Sequence, residues 1–485
     1  VLLAPRRCLT LPGQFSFVLH THMPYVRRNG AWPVGEDWLY QAMSETYLPL
    51  LGMLAELDHE DLGPCLALTL TPVLCEQLAD RYIQDRFVSY LKTMAERARG
   101  DARDFRYFSD TPRGDLAKDY EEDFKRKLLA YTSIGGDILG AIASFEEAGL
   151  VETLGSCATH AFLPGLGDEK RVREQVRLGV ESHVVHIGKR PKGFWVPECA
   201  YRTGLEEILA EEGVEYFIVD STALGGLAPG RPYTVGSSPV VALARSDRAH
   251  GNVWDEDAGY PTDGSYLDST KYYHGSGLHY WRVTGREVDI EAKEVYVPAD
   301  ASRRALDHAE HFIGDVAAEL DEAASAPGGG FDADPPLVVA CYDTEFFGHG
   351  WKEGFYWLEI ALRSLSGFSS MQLTVPSEFL ARFAERAPVE LAETSWGTGR
   401  DHSTWLNEET RWMWEAVGAS ASRLSGLARR FEPAGTGPLE ARALVQAARE
   451  VLLLESSDWP YMVAKDRAAD YASERFRRHL ERFES

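Results

Sequence analysis

Short apolar runs that end at a polar or charged residue recur along the chain, and they predict buried strands. Residues 193–196 (GFWV) form such a run, which stops at a proline and is followed at once by Glu198. Residues 203–213 then have the apolar spacing of a helix, and residues 214–219 (VEYFIV) predict the next strand. Glu198 is therefore predicted to lie at the carboxyl end of a strand in a strand–helix–strand unit, where parallel α/β folds place their chemistry.

A second carboxylate has the same position relative to a predicted strand. Residues 337–341 (LVVAC) read as a strand, and Asp343 follows it. Two carboxylates on different strands can flank a sugar ring, one as nucleophile and one as general acid/base. Glu345 lies two residues further on, and alternation along an extended segment would put it on the same side as Asp343. The pattern alone leaves Glu345 as a rival of Asp343.

Histidines end two other predicted strands. Residues 15–19 (FSFVL) form the first strand, and alternation places His20 and His22 on one side of its continuation. These side chains suit a metal pair, as in amidohydrolase barrels, or contacts with sugar hydroxyls, or a purely structural pair. His160 follows the predicted strand at 150–154 and is expected to line the same space.

The strand pattern is interrupted once and stops before the last hundred residues. Residues from about 80 to 149 are charged and helical, and beyond about residue 388 the chain again has helical spacing. The predicted organisation is a catalytic α/β barrel from residues 1–78 and 150–387, a helical insertion at 79–149, and a C-terminal helical domain at 388–485.

Composition restricts the partners. The 485 residues carry a formal net charge of −25, which disfavours nucleic acid and anionic membranes and suits a neutral substrate. No apolar run reaches the roughly 18 residues of a membrane span, and the runs near Arg6 and Arg7 are too short for a signal peptide. Six cysteines without CxxC spacing argue against zinc and disulfide frameworks. A cytoplasmic protein is predicted.

Five segments carry a family resemblance. They are 20–25 (HTHMPY), 158–160 (ATH), 195–201 (WVPECAY), 342–351 (YDTEFFGHGW) and 456–461 (SSDWPY). In type and order they resemble glycoside hydrolase family 57, and most of all its 1,4-α-glucan branching enzymes. One departure is Gly350, which stands where a second bulky aromatic residue is expected before Trp351 and which would open the acceptor side.

The resemblance implies a distorted (β/α)7 barrel with Glu198 as nucleophile, Asp343 as general acid/base, no cofactor and no metal. It implies an α-1,4-glucan as donor and acceptor, with transfer to a 6-hydroxyl. It also puts Tyr233 near the tip of a glycine- and proline-rich loop that closes over the site. Including aromatic residues that can stack on sugars, the predicted substrate-binding residues are His20, His22, Trp32, His160, Trp195, Tyr233, Lys271, Gly277, Trp281, His349, Trp405 and Asp458.

Three other functions compete with branching at this stage. An α-amylase or 4-α-glucanotransferase of the same family would share the carboxylates and differ in product linkage. A metal-dependent hydrolase or deacetylase would use His20, His22 and a carboxylate as ligands. A glucan-binding protein with an inactive site would bind without turnover.

Overall fold

The computed structural model describes residues 12–31, 33–285, 288–325, 334–368, 370–383, 386–431 and 437–485. Trp32, one of the predicted sugar-binding residues, lies outside these ranges. The cysteines within the ranges are buried free thiols, namely Cys65, Cys75, Cys157, Cys199 and Cys341.

A ten-stranded sheet forms the centre of the described part of the chain. Its strands are β1 (Gly13–Thr21), β2 (Leu66–Leu70), β3 (Val151–Ser156), β4 (Gly193–Trp195), β5 (Tyr216–Val219), β6 (Tyr233–Val235), β7 (Val241–Ala244), β8 (Leu337–Asp343), β9 (Met371–Leu373) and β10 (Ala387–Val389). Seven of them pair in parallel in the order β8-β1-β2-β3-β4-β5-β7. Their residues are almost all buried, which is typical of parallel strands covered on both faces.

The seven parallel strands curve into a distorted barrel. Its two end strands, β7 and β8, are joined by a backbone hydrogen bond in which Ser246 N donates to Val339 O at 2.7 Å. Beyond β7 the sheet continues outward, since β6 pairs antiparallel with β7 and β10 pairs with β6. The predicted α/β class and seven-stranded barrel are confirmed, and the junction of β7 and β8 is where the barrel is irregular.

Alternation along β1 separates the outside of the barrel from its inside. The ring of Phe17 stacks at 5.7 Å on Phe312 of a covering helix. Val18 instead packs in a second buried cluster that contains Val339 of β8. His20 is two residues beyond Val18 and therefore faces the barrel interior at its carboxyl end.

Helices cover the outside of the barrel. They are α1 (Glu36–Ala42), α2 (Leu48–His59), α3 (Pro72–Leu78), α4 (Arg81–Tyr107), α5 (Thr111–Ser133), α6 (Ile138–Glu147), α7 (Glu169–Ile187), α8 (Leu205–Glu211), α9 (Asp247–Trp254), α10 (Pro298–Ser325), α11 (Gly354–Ser366), α12 (Pro376–Arg382), α13 (Arg411–Arg430), α14 (Pro438–Leu454), α15 (Asp458–Ala464) and α16 (Ala469–Glu484). A π-helical turn, Met43–Tyr47, joins α1 to α2. The regular helical hydrogen-bond pattern is thus interrupted between α1 and α2, as often occurs at functional sites.

The segment between β2 and β3 is entirely helical in its charged part. In α4, Phe87, Leu91 and Ala98 form a buried face, and Asp80 caps the helix by accepting hydrogen bonds from two backbone N–H groups. In the described ranges no single helix is long and apolar enough to cross a membrane. The pair α5 and α6, bent by 68°, meets the length and composition criteria when taken together.

The chain after β10 packs as helices α13 to α16. Trp459 is fully buried among Met413, Leu454 and Phe476, so these helices share a small core of their own. The first of these helices, α13, begins at Arg411, and Asp458 is the first residue of α15.

Candidate active site

The two predicted carboxylates lie at the carboxyl end of the barrel. Glu198 follows β4 in the short 3-10 turn Pro197–Cys199, and Asp343 is the last residue of β8. Asp343 is in register with His20 of β1. Glu198, Asp343 and His20 all line one cavity of about 780 Å³. The fold thus brings together residues that are far apart in the sequence.

Glu198 is held in one orientation by two donors. The Trp396 Nε1–H donates to its Oε2 at 2.8 Å, and the Ser457 hydroxyl donates to its Oε1 at 2.7 Å. The backbone has a left-handed conformation (φ 62°, ψ 17°), which costs a non-glycine residue on the order of 1–3 kcal/mol. Burial raises the pKa of Glu198, and the two hydrogen bonds act in the opposite direction. A strained, fully bonded carboxylate of this kind is suited to act as a fixed nucleophile.

Asp343 has the environment of a proton donor rather than that of a nucleophile. Burial, reinforced by the negative charges of Glu345 and Glu198, raises the pKa of Asp343 to about 8, while His22 opposes the shift. At neutral pH the Asp343 carboxyl therefore retains its proton and can donate it. Two neighbouring carboxyls whose environments separate their protonation states are typical of an acid and a nucleophile acting as a pair.

Glu345 lines the same cavity but is engaged by other groups. Its Oε1 accepts hydrogen bonds from the Tyr47 hydroxyl at 2.6 Å and from His22 N at 3.1 Å. Burial raises the pKa of Glu345 to about 7, against the effect of the Tyr47 hydrogen bond. These contacts tie Glu345 to the loop after β1, so it serves to hold that loop and to add negative charge beside Asp343.

Three histidines form a stacked cluster beside the carboxylates. The ring centroids of His22 and His160 are 3.9 Å apart, and those of His20 and His160 are 4.9 Å apart. Burial, together with the neighbouring histidines, lowers the pKa of His20 and of His160 well below the usual value, so both rings are neutral at neutral pH. Burial also acts to lower the pKa of His22, but Asp458 and two further carboxylates raise it on balance.

The donor atoms of His22, His160 and Asp458 lie within 4.8 Å of one another, which is compact enough for a metal ion. The same atoms are hydrogen-bonded within the protein. His22 Nε2 is 3.0 Å from Asp458 Oδ1, and its Nδ1 is 2.9 Å from a threonine hydroxyl. His160 pairs with His20 through Nε2 at 2.9 Å and with Ser457 through Nδ1 at 2.7 Å. The residues present therefore fit a hydrogen-bonded network around Glu198.

Four other predicted substrate-binding residues lie in the cavity lining or directly behind it. His349, Trp405 and Asp458 line it directly. His349 Nδ1 is 2.8 Å from the Glu45 carboxylate, and burial of the Trp405 ring is complete. Trp195 is also fully buried and supports the site from below, with its ring stacked on His20 at 4.7 Å.

Tyr233 does not lie near a loop tip, and that prediction is wrong. Tyr233 begins strand β6, which pairs with both β7 and β10, and its hydroxyl donates to Ala228 O at 3.1 Å. The ring is 4% exposed and is absent from the cavity lining. The surrounding glycines and prolines predicted a loop, but the Tyr-Thr-Val triplet between them has strong strand propensity and finds partners at the sheet edge.

Three other predicted binding residues lie away from the cavity. Lys271 O accepts a hydrogen bond from His279 Nδ1 at 2.8 Å, and Gly277 makes a turn at φ 80°. Trp281 is largely buried, with the Arg113 guanidinium 5.7 Å from its ring centroid. None of the three lines the cavity, because their segment packs against helices α4 and α5. Lys271, Gly277 and Trp281 therefore lie outside this cavity, and their contact with substrate stays a prediction.

Several residues that line the cavity, or that bond to residues lining it, were not predicted from the sequence. Trp396 and Tyr47 are far from the motifs, and no local pattern marks them. Ser457 lies inside the SSDWPY segment next to Asp458, so the motif itself could have indicated it. Arg245 follows β7 and forms a buried ion pair with Asp220, which follows β5. Asp220 and Arg245 could have been found, because both stand directly after strands, as Glu198 does.

Gly350 lies in the cavity wall with Phe346 directly against it. A Cβ atom at this position would lie 2.9 Å from the Phe346 ring and 3.1 Å from Phe346 O. The Phe346 ring stacks at 4.4 Å on Trp254, which also lines the cavity. Gly350, Phe346 and Trp254 all line the cavity, so an aromatic pair lies beside Gly350 in its wall.

Comparison with known proteins places this site in a family. The sequence profile described as glycosyl hydrolase family 57 matches residues 16–392. The chain belongs to glycosyl hydrolase family 57. A second profile, "1,4-alpha-glucan branching enzyme, C-terminal", matches residues 417–485, which include Ser457 and Asp458. The family 57 profile thus covers the barrel, and the second profile covers most of the helical region that follows it.

Relatives extend over nearly the whole chain. A probable 1,4-alpha-glucan branching enzyme of Mycobacterium tuberculosis is 37% identical over 97% of this chain and 90% of its own length. The 1,4-alpha-glucan branching enzyme of Thermococcus kodakarensis is 36% identical over 98% of this chain and 73% of its own length. Its crystal structure has a TM-score of 0.90 over 96% of this chain and 88% of that one. The crystal structure of the alpha-amylase AmyC of Thermotoga maritima is 28% identical in sequence, with a TM-score of 0.87 over 98% of this chain and 92% of that one.

Proposed function

We propose that this chain is a retaining 1,4-α-glucan branching enzyme. The observation that carries the proposal is that Ser457 and Asp458, in the segment that matches the branching-enzyme C-terminal profile, bond directly to residues of the barrel cavity. The names of the relatives at 36–37% identity support the same activity. The proposal includes the division into a barrel (1–78 and 150–387), a helical insertion (79–149) and a C-terminal domain (388–485).

The chemistry follows from the two carboxyls. Glu198 attacks the anomeric carbon of an α-1,4 bond, and Asp343 gives its proton to the departing glycosidic oxygen. The product of this step is a glycosyl-enzyme and a shortened glucan. Asp343 then takes the proton of a glucan 6-hydroxyl, whose oxygen displaces Glu198 from the anomeric carbon. Two inversions leave the new α-1,6 bond with the configuration of the old bond.

Branching further requires that a sugar hydroxyl reach the intermediate before water does. The segment after β10 supplies one wall of the cavity, including Trp396, Trp405 and Tyr461. In this segment Lys465 donates to Thr398 Oγ1 at 2.7 Å, which ties α15 to the loop at the rim. We propose that this wall, and not Tyr233, covers the intermediate. The donor and acceptor are neutral glucans, and we place the enzyme in the cytoplasm, in agreement with its buried free thiols.

The decisive test is the linkage of the product. Purified protein incubated with amylose should produce new α-1,6 anomeric signals in the proton NMR spectrum, with little reducing sugar. Release of reducing ends without α-1,6 signals would instead indicate an α-amylase. Redistributed α-1,4 chain lengths without new reducing ends would indicate a 4-α-glucanotransferase. Binding of amylose without any product would indicate an inactive glucan-binding protein.

Metal removal distinguishes the proposal from a metal-dependent hydrolase or deacetylase. We expect dialysis against a chelator to leave branching activity within about twofold of its starting value, because the nitrogens of His22 and His160 are used in hydrogen bonds. Elemental analysis of the active protein should find less than one equivalent of transition metal. Activity that is lost on chelation and restored by zinc would contradict the assignment of these histidines.

A further inference from the structure

A continuous chain of side-chain hydrogen bonds leads from the barrel strand β1 to Glu198. His20 Nε2 lies 2.9 Å from His160 Nε2, His160 Nδ1 lies 2.7 Å from Ser457 Oγ, and Ser457 Oγ lies 2.7 Å from Glu198 Oε1. The three side chains before Glu198 are at most 3% exposed. Water does not compete for these bonds, so their direction is set by the groups themselves.

Only one direction of donation is consistent with an ionised Glu198. A carboxylate accepts and cannot donate, so the single hydroxyl proton of Ser457 points at Glu198. Ser457 Oγ must then accept from His160, which requires the proton of His160 to be on Nδ1. A neutral His160 with this tautomer has Nε2 as an acceptor, so His20 donates from its own Nε2. Every group in the chain therefore directs a proton towards the Glu198 carboxylate.

We propose that Ser457 is a positioning residue for the nucleophile, and that His160 in its Nδ1–H form holds the Ser457 hydroxyl in place. The inference rests on the proposed role of Glu198 as nucleophile. When Glu198 forms its bond to the anomeric carbon, the carboxylate charge is lost and the Ser457 hydrogen bond weakens. When that bond breaks, the electron pair returns to the carboxylate and the charge-assisted hydrogen bond is restored. No proton moves along the chain in either step.

Two effects are expected when the Ser457 hydroxyl is removed. Glu198 loses one of its two donors, so its carboxylate is harder to ionise and the acid limb of the pH profile moves to higher pH. When Glu198 leaves the anomeric carbon in this variant, its carboxylate no longer receives a charge-assisted hydrogen bond from Ser457. Breakdown of the glycosyl-enzyme therefore slows by about 10- to 100-fold. The other titratable groups facing Glu198 remain unchanged in such a variant, and these are His22, His160, Cys199, Asp343, Asp458 and Tyr461.

The experiment compares variants that keep or remove a single donor. Ser457→Ala removes the hydroxyl and Ser457→Thr retains it. His160→Asn places an amide N–H near the position of Nδ1, and His160→Gln places it near that of Nε2. Ser456→Ala is the matched control, because the Ser456 hydroxyl of the same turn donates to Asp458 and not to Glu198.

The readouts are the acid limb of kcat/KM and the fraction of enzyme carrying a covalent glycosyl group, measured by mass spectrometry after acid quench of a reaction with a maltosyl fluoride. Ser457→Ala and His160→Gln should move the acid limb of kcat/KM to higher pH. Both variants should also increase the fraction of enzyme that carries a covalent glycosyl group. Ser457→Thr, His160→Asn and Ser456→Ala should keep the acid limb of the natural protein.

An unshifted acid limb in an active Ser457→Ala protein would overturn the inference, as would equal behaviour of His160→Asn and His160→Gln. The histidine pair decides the question if the alanine variant does not fold. Both readouts need only cleavage of a glycosyl donor and do not depend on the linkage of the product. Absence of α-1,6 products would therefore contradict the branching proposal, but the role of Ser457 could still be tested. Absence of any covalent glycosyl group on Glu198 would remove the nucleophile assignment itself.

Discussion

Glu198→Gln should lower the rate of α-1,4 cleavage and transfer by about 10⁴- to 10⁶-fold, the range seen when a residue of a covalent catalytic unit is removed. The reason is that an amide cannot replace the carboxylate in attack on the anomeric carbon. The size of the side chain is kept, and its single carbonyl oxygen can still accept a hydrogen bond from one of the two donors, Trp396 or Ser457. The rate is measured as new α-1,6 linkages and as oligosaccharide release. Circular dichroism should show the fold unchanged.

A variant with a smaller side chain at position 198 tests specifically whether Glu198 acts as the nucleophile. Glu198→Ala leaves space for an added azide ion, which should attack the α-linked donor once and produce a β-glycosyl azide, because only one inversion occurs. Glu152→Gln is the matched control, since Glu152 is a buried carboxyl of β3 outside the cavity lining and its pKa is likewise raised by burial, to about 7. Full transfer activity in Glu198→Gln, or an α-glycosyl azide from Glu198→Ala, would refute the assignment.

Asp343→Asn should lower transfer from amylose by about 10²- to 10⁴-fold, because the leaving oxygen is no longer protonated. A maltosyl fluoride has a leaving group that needs no acid, so the variant should form the glycosyl-enzyme from this donor at nearly the natural rate. Breakdown of that intermediate should remain slow until azide is added, and the product should then be the α-glycosyl azide. Comparison of the two donors measures the acid function separately from binding.

The pH dependence follows from the raised pKa of Asp343. Activity of the natural protein should fall as the pH rises through about 8, where Asp343 loses its proton, and Asp343→Asn should lack this limb. The folded-state pKa lies above the unfolded value, so the stabilising effect of protonated Asp343 is complete at acid pH and is lost as pH rises through about 8. Asp343→Asn should therefore unfold at a higher temperature than the natural protein at pH 9. An alkaline limb that vanishes in Glu345→Gln instead would transfer the acid role to Glu345.

The barrel and its carboxylates could be predicted because both depend on local pattern. The apolar runs before Glu198 and Asp343 are strands in the structure, and the strand-end position places both side chains at one end of the barrel. The side on which His20 lies also follows from simple alternation along β1. These features need no knowledge of what packs against them.

The partners of the carboxylates could not be predicted in this way. Trp396 and Ser457 reach Glu198 across 198 and 259 positions of sequence, and no local spacing encodes such contacts. The Tyr47 hydrogen bond to Glu345 depends on the π-helical turn, which shifts the helix register by an amount that apolar spacing does not reveal. Tyr233 was misplaced because local turn residues outweighed a strand that is stabilised by distant partners.

The two hydrogen bonds to the Glu198 carboxylate have a consequence for the making of the protein. Both donors, Trp396 and Ser457, are translated after the last strand of the barrel. A ribosome that has released the barrel but not residue 457 therefore exposes a cavity in which Glu198, the proposed nucleophile, lacks the Ser457 hydrogen bond. On the proposed mechanism, catalytic competence is therefore reached only late in synthesis, after residue 457 has been added.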